Sequence, residues 1–417
     1  VQILVQKFGG TSVQSKQTRQ HVIEHIENAL MNRIKLVVVV SALGRSPGAY
    51  ATDSLLDLVD YPEHSISNRE LDMLMACGEI ISSVVLSNEL KKKSIKSIAL
   101  TGAQAGILTN ADYNQAKIKE VNPTRIYHEL KTHDVVVVAG FQGKNEIGEL
   151  TTLGRGGSDT TAAALGVALD AERIEIFTDV NGIMTADPRV VKNARALDVV
   201  TYQEICNLAY QGAKVIHPRA VEIAMRGKIP ILVRSTYENH GGTLVTNAVN
   251  QKNTVDVSER LVTGIAHLAN ITQIKVQTKE KEAYRLQSEV FKAMADAGIS
   301  IDFINISPTG VIYTVPNVQH KKAIKILNAK GYKPTVIEDC TKVSVVGAGM
   351  TGVPGVASKI VQALTNQGIQ ILQSADSHTT IWVLIPGQDV YKAVNALHEE
   401  FNLAKKSTIL HDFLIER

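Results

Sequence analysis

Short runs rich in Val, Ile and Leu recur through the first half of the chain, at residues 1–8, 36–43, 94–100, 134–141, 173–180 and 229–234. Helical periodicity fills the gaps between them, at 17–32, 68–91, 158–169 and 200–212. Runs that are apolar along their whole length suit strands buried on both faces, and strands alternating with helices suit a mostly parallel sheet covered on each side. The pattern predicts an α/β sandwich. It stops near residues 236–259, where Asn239-His240-Gly241-Gly242-Thr243 opens a polar stretch with few apolar residues. A first domain is therefore expected at 1–240 and a linker at 241–260.

Beyond the linker the order strand, helix, strand, strand, helix occurs twice. The first copy reads at 272–276, 288–298, 300–306, 310–315 and 321–330, the second at 341–346, 356–368, 369–374, 379–385 and 390–401. In both copies a helix runs into Gly-Ile, at Gly298-Ile299 and Gly368-Ile369. A period of roughly seventy residues belongs to a duplicated domain, not a solenoid. The modules are predicted at 261–338 and 339–417. Units this small bury little surface alone, so they should pack side by side and pair through exposed edges with another copy of the chain.

The 44 Lys+Arg and 41 Asp+Glu are mixed along the chain, leaving a formal charge of +3 and no basic stripe for nucleic acid. Cys77, Cys206 and Cys340 are far apart, which suggests neither a disulfide framework nor a zinc site and favours a cytoplasmic location. The longest apolar run, 36–40, is too short to span a membrane.

Several segments could carry chemistry. Lys7-Phe8-Gly9-Gly10-Thr11-Ser12 ends the first strand with a cation beside two glycines, as a phosphate cradle would. Taken alone, a turn with a solvated lysine explains it equally well, and the order of residues is not the P-loop order. Gly154-Arg155-Gly156-Gly157-Ser158-Asp159 leads into an Ala-rich helix, which Ser158 or Asp159 could cap, and Arg155 could grip a carboxylate with two hydrogen bonds. Thr178-Asp179 and the polar residues up to Arg189 follow a strand at the end where α/β sheets bind ligands. Gly212-Ala213-Lys214-Val215-Ile216-His217-Pro218 offers a further lysine.

Together and in this order, these segments resemble the aspartate kinases, a family with the amino-acid kinase α/β sandwich, a mostly parallel sheet and two C-terminal ACT modules of βαββαβ type. The resemblance covers nearly the whole chain. It implies ATP and Mg²⁺ as cofactors and L-aspartate as substrate. Lys7, Phe8, Gly9, Gly10 and Ser41 would meet the phosphates, and Thr178, Asp179, Met184, Asp187, Arg189 and Lys214 would surround the nucleotide. Met184 departs from the Tyr often found at that place. Thr52, Glu79, Arg155, Gly156, Gly157 and Ser158 would bind the amino acid, Arg155 at its α-carboxylate and Glu79 at its ammonium. Lys7 and Lys214 would be catalytic, oriented by Asp159, with no dedicated protein metal site.

A carboxylate acceptor with a pKa of about 3.9 is already ionised at neutral pH, so such a transfer needs no general base. The family resemblance also implies feedback by an end-product amino acid at the ACT modules. The chain most resembles the single-function, diaminopimelate-inhibited type of Gram-positive endospore formers. Other amino-acid kinases lack both the Lys-Phe-Gly-Gly-Thr-Ser start and the paired tail, and a purely sensing protein would have no reason to keep Lys7, Arg155, Asp159, Asp179 and Lys214 together.

Overall fold

The apolar runs of the first half form an 8-stranded sheet in the computed structural model, which describes residues 2–213, 215–238, 241–247, 261–278, 283–350 and 352–405. From edge to edge its strands are Val199–Thr201, Thr243–Thr246, Ile231–Ser235, Ile174–Thr178, Ile3–Phe8, Lys35–Val40, Val135–Ala139 and Ser97–Leu100. All neighbours run parallel except Ile231–Ser235 against Thr243–Thr246. The central strands are buried throughout, as continuous Val-rich runs require. Ile3–Phe8 lies between Lys35–Val40 and Ile174–Thr178, so later strands add on both sides of it and a crevice opens at the strands' C-terminal ends.

The long helix Asn68–Lys92 starts where Ser67 and Glu70 cap each other: the Ser67 hydroxyl accepts from the Glu70 amide at 3.3 Å, and the Glu70 carboxylate accepts from the Ser67 amide at 2.9 Å. Lys91 and Lys92 in its last turn suit the negative end of the helix dipole. A second, 4-stranded sheet orders Ile118–Val121, Ile107–Thr109, Gln142–Lys144 and Leu150–Thr152. No strand pattern announced it, because its members are three or four residues long.

The chain divides into two compact units, the first being Val1–Met184, Ala196–Tyr210 and Lys214–Val255, the second Thr185–Arg195, Gln211–Ala213 and Asp256–Arg417. The second unit is built on a 6-stranded antiparallel sheet, ordered Asp302–Ser307, Gly310–Pro316, Gly264–Gln277, Thr335–Val346, Thr380–Pro386 and Gln373–Asp376. Helices Ala283–Asp296, Asn317–Ala329, Val356–Asn366 and Val390–Glu400 complete two βα modules.

The two modules interleave across the boundary expected at 338/339. Val262 and Ile265 pack with Val343, Val345, Ile360 and Leu364 of the second module, whereas Ile274 and Val276 pack with Val290, Tyr313 and Leu327 of the first. The strand Gly264–Gln277 is thus shared. Its pairing with Thr335–Val346 shifts register between Leu268 and Ile271, where Asn270 takes a φ of 60°. A bulge at a residue that tolerates left-handed backbone lets one strand serve two cores.

The segment Thr185–Arg195, expected in the catalytic domain, also packs in this second unit. Ala186 and Val191 join the core of the second module, His398 Nε2 and the Thr185 hydroxyl lie 2.9 Å apart, and Asn395 Nδ2 donates to the Val190 carbonyl at 2.9 Å.

Candidate active site

The crevice of the first unit is a cleft of about 860 Å³. Lys7, Gly9, Gly10, Ser41, Thr52, Glu79, Arg155, Gly156, Gly157, Ser158, Asp159, Thr178 and Asp179 all line it. Residues far apart in sequence meet because parallel strands deliver their C-terminal ends to one place.

Lys7 and Asp159 form the central ion pair, Nζ to Oδ1 at 2.7 Å. The other Asp159 oxygen accepts from the His217 amide at 3.3 Å. Neither Ser158 nor Asp159 caps the helix Gly157–Ala168, contrary to the sequence-based expectation. Gly156 occupies the cap position without a side-chain bond, at a φ of 68°. A β-carbon there would come 2.2 Å from the His217 ring, so only glycine fits. Burial lowers the His217 pKa, partly opposed by Asp159. Gly10 is equally constrained, since a β-carbon would lie 2.7 Å from the Gly44 carbonyl oxygen.

Glu79 is 3% exposed, and its Oε1 accepts from the Ala42 amide at 3.0 Å. Its Oε2 is buried without a hydrogen-bond partner. Desolvation pushes its pKa up to about 8. A buried carboxyl oxygen with nothing to bind is costly unless a ligand completes it. Arg155, on the same cleft, is exposed, and among the described residues no hydrogen bond or ion pair engages its guanidinium. Thr178 donates its hydroxyl proton to Asp179 Oδ1 at 3.1 Å.

Four expected site residues stand elsewhere. The Phe8 ring is fully buried, stacked on Phe177 with centroids 4.4 Å apart, so it supports the cleft floor from the core. Met184 bridges to Ala196 and does not line the cleft. Asp187 and Arg189 do not line it either. They sit on the segment that packs in the second unit and pair at 2.7 Å, and the bond from Arg189 holds the Asp187 carboxyl below its usual range. The apolar residues of that segment, Ala186 and Val191, decide its placement by joining the second unit's core. Lys214 lies outside the described residues.

Sequence reasoning passed over Asp72, Asn114, Gln115 and Arg219. Asn114, Gln115 and Arg219 line the cleft, and Arg219 Nη1 donates to the Leu153 carbonyl at 3.0 Å. Asp72 is wholly buried and accepts hydrogen bonds from Asn114 and Thr152, and desolvation raises its pKa despite them. A signal existed: Asp72 stands seven residues before Glu79 in one helix, two turns away on the same face.

Residues 2–235 match the amino acid kinase family and residues 335–399 an ACT domain. Fold and cleft together thus define an amino-acid kinase with an appended ACT region. Over 97% of its length the chain is 60% identical to Aspartokinase 1 of Bacillus subtilis (strain 168), covering 100% of that protein. It is similar to E. coli aspartokinase III in complex with aspartate and ADP, with a TM-score of 0.77 at 26% identity, over 96% of this chain and 99% of that one. The structure of that enzyme with lysine and aspartate gives a TM-score of 0.75 at 26% identity, with the same coverage. The chain belongs to the aspartokinase family.

Proposed function

We propose that the cleft transfers the γ-phosphoryl group of ATP to the β-carboxylate of L-aspartate, giving 4-phospho-L-aspartate and ADP. The observation that carries this reading is the pairing, on one cleft, of an uncommitted cation with an uncommitted buried carboxyl oxygen: Arg155 for an α-carboxylate, Glu79 Oε2 for an ammonium. An α-amino acid supplies both groups, and the Lys7–Asp159 pair lines the same cleft. The aspartate and ADP bound by E. coli aspartokinase III support the assignment.

The acceptor carboxylate attacks as the anion, so the protein's task is charge neutralisation and in-line placement. Lys7, held by Asp159, is pre-positioned to meet charge on the transferring phosphoryl oxygens. Gly9 and Gly10 bring backbone close to the phosphates, Ser41 stands beside them, and Thr178 and Asp179 serve the nucleotide side. Lys214 is assigned as the second catalytic cation on the family resemblance alone.

Bound Mg²⁺ would supply charge neutralisation at the phosphates. Among the described residues no group of three His, Cys, Asp or Glu side chains could hold a metal ion. Asp179 and Asp159, which line the cleft, are the carboxylates that would touch it directly or through water.

The ACT modules are assigned an end-product amino acid as feedback effector, in line with the lysine bound by E. coli aspartokinase III. The chain is read as a homo-oligomer assembled through these modules. Among the described residues no helix is long and apolar enough to cross a membrane. The proposed location is cytoplasmic.

A hydroxamate assay with aspartate and MgATP tests the reaction. Acyl phosphate forms with aspartate, and Arg155→Ala raises the aspartate KM about thirtyfold or more while leaving the ATP KM near its original value. Amino-acid binding without hydroxamate formation would reduce the protein to a sensor. Inhibition curves with lysine, threonine and diaminopimelate, singly and in pairs, identify the effector.

A further inference from the structure

We infer that Asp72 is a positioning residue of the amino-acid subsite, tying the wall that carries Arg155 to the helix that carries Glu79. The inference rests on the reading that Arg155 and Glu79 hold the substrate's carboxylate and ammonium. Asp72 is 0% exposed, and among the described residues no cation pairs with it. A lone buried carboxylate is expensive, so its hydrogen bonds indicate what it is for.

Those bonds come from two chain segments that form the cleft wall. The Asn114 amide donates to both carboxylate oxygens, at 3.0 and 3.1 Å. Thr152 donates its amide to Oδ2 at 2.8 Å and its hydroxyl to Oδ1 at 2.5 Å. The segments also bond each other, the Ala116 amide donating to the Thr152 carbonyl at 2.9 Å. Thr152 is three residues before Arg155. Asn114 lies beneath the residue just before it, since a β-carbon on Gly154 would come 3.0 Å from the Asn114 carbonyl oxygen.

On the helix side, Asp72 and Glu79 are two turns apart on one face of Asn68–Lys92. One carboxylate therefore joins the Arg155 wall to the Glu79 helix. The span between a substrate's carboxylate and ammonium ligands is set through this joint, although Asp72 itself touches no substrate. Asparagine at this position would retain an acceptor oxygen but present an NH₂ group to a wall that offers only donors.

Steady-state kinetics on the full chain tests the role. Asp72→Asn raises the aspartate KM about tenfold or more, with the ATP KM within about twofold and kcat reduced less than the aspartate KM is raised. Thr152→Val keeps the backbone donor, removes only the hydroxyl, and produces a smaller shift of about threefold in the same direction. Thr152→Ser restores the original value. This second pair decides the question should Asp72→Asn fail to fold. The inference is overturned if thermal stability or the active fraction falls while the aspartate KM stays unchanged, or if both KM values rise together. Arg155→Ala runs alongside as the reference. If it leaves the aspartate KM unmoved, the subsite reading falls and this inference with it. If it raises that KM while the Asp72 and Thr152 variants do not, the positioning role alone is refuted.

Discussion

The cleft of the first unit and the sheet of the second both bury polar side chains, but they treat them in opposite ways. In the cleft, Glu79 keeps a buried oxygen without a partner. On the antiparallel sheet a group of polar side chains satisfies its own members. Gln273 Nε2 donates to Gln373 Oε1 at 2.9 Å, Gln373 donates to the Phe303 carbonyl, and Lys342 pairs with Asp302 at 2.5 Å. The difference separates groups that wait for a ligand from groups that fix a register. An unsatisfied buried carboxyl oxygen is tolerated where binding energy will later offset it, and a satisfied network specifies structure.

The comparison breaks most easily at Lys7. Lys7→Ala is expected to lower kcat by about a hundredfold or more, the scale for losing one electrostatic partner of a transition state, with little change in aspartate affinity. A near-normal kcat in the acyl-phosphate assay would remove Lys7 from the chemistry.

Glu79 sharpens the contrast through pH. Its pKa in the folded chain is about 8 against an ordinary 4.5, so between those values the fold holds a proton that the unfolded chain releases. The unliganded protein therefore loses stability as pH rises through that window, and Glu79→Gln removes the loss. Thermal melts of the two proteins should diverge up to about pH 8, with the variant more stable on the alkaline side. An ammonium ligand favours the ionised form, so aspartate binding at pH 7 should release most of a proton. Calorimetry in buffers of different ionisation heat would detect it. The variant should release none and bind aspartate at least about tenfold more weakly.

The smallest effect is expected in the sheet. Gln273→Leu leaves the Gln373 oxygen without its donor, which should cost about 1–3 kcal/mol of stability without altering kcat when no effector is present. A changed kcat with an unchanged melting profile would contradict the structural assignment of that network.

Much of this was legible beforehand. The strands that carry Lys7 and Thr178 and the one that ends just before Ser41 were readable because central parallel strands are apolar without interruption. Arg155 stood out because glycines flank a charge for few other reasons. The small sheet of 107–152 was not readable, its strands being too short to show a period. Nor was the packing of Asp187 and Arg189 with the second unit, because the cue lies in Ala186 and Val191, whose partners are residues of another domain distant in the chain.

The sequence by itself determined the class of fold, the doubled regulatory module and the charged residues of the cleft. These depend on local periodicity and on residue types that few other roles would require. Only the tertiary structure decided which of those charges meet, that one strand serves two cores, and that Asp72 joins the segments of Asn114 and Thr152 to the helix that carries Glu79. Each of those facts is a relation between segments tens of residues or more apart. Burial then decides what they are worth, raising the cost of an unpaired carboxylate and so making its few partners informative.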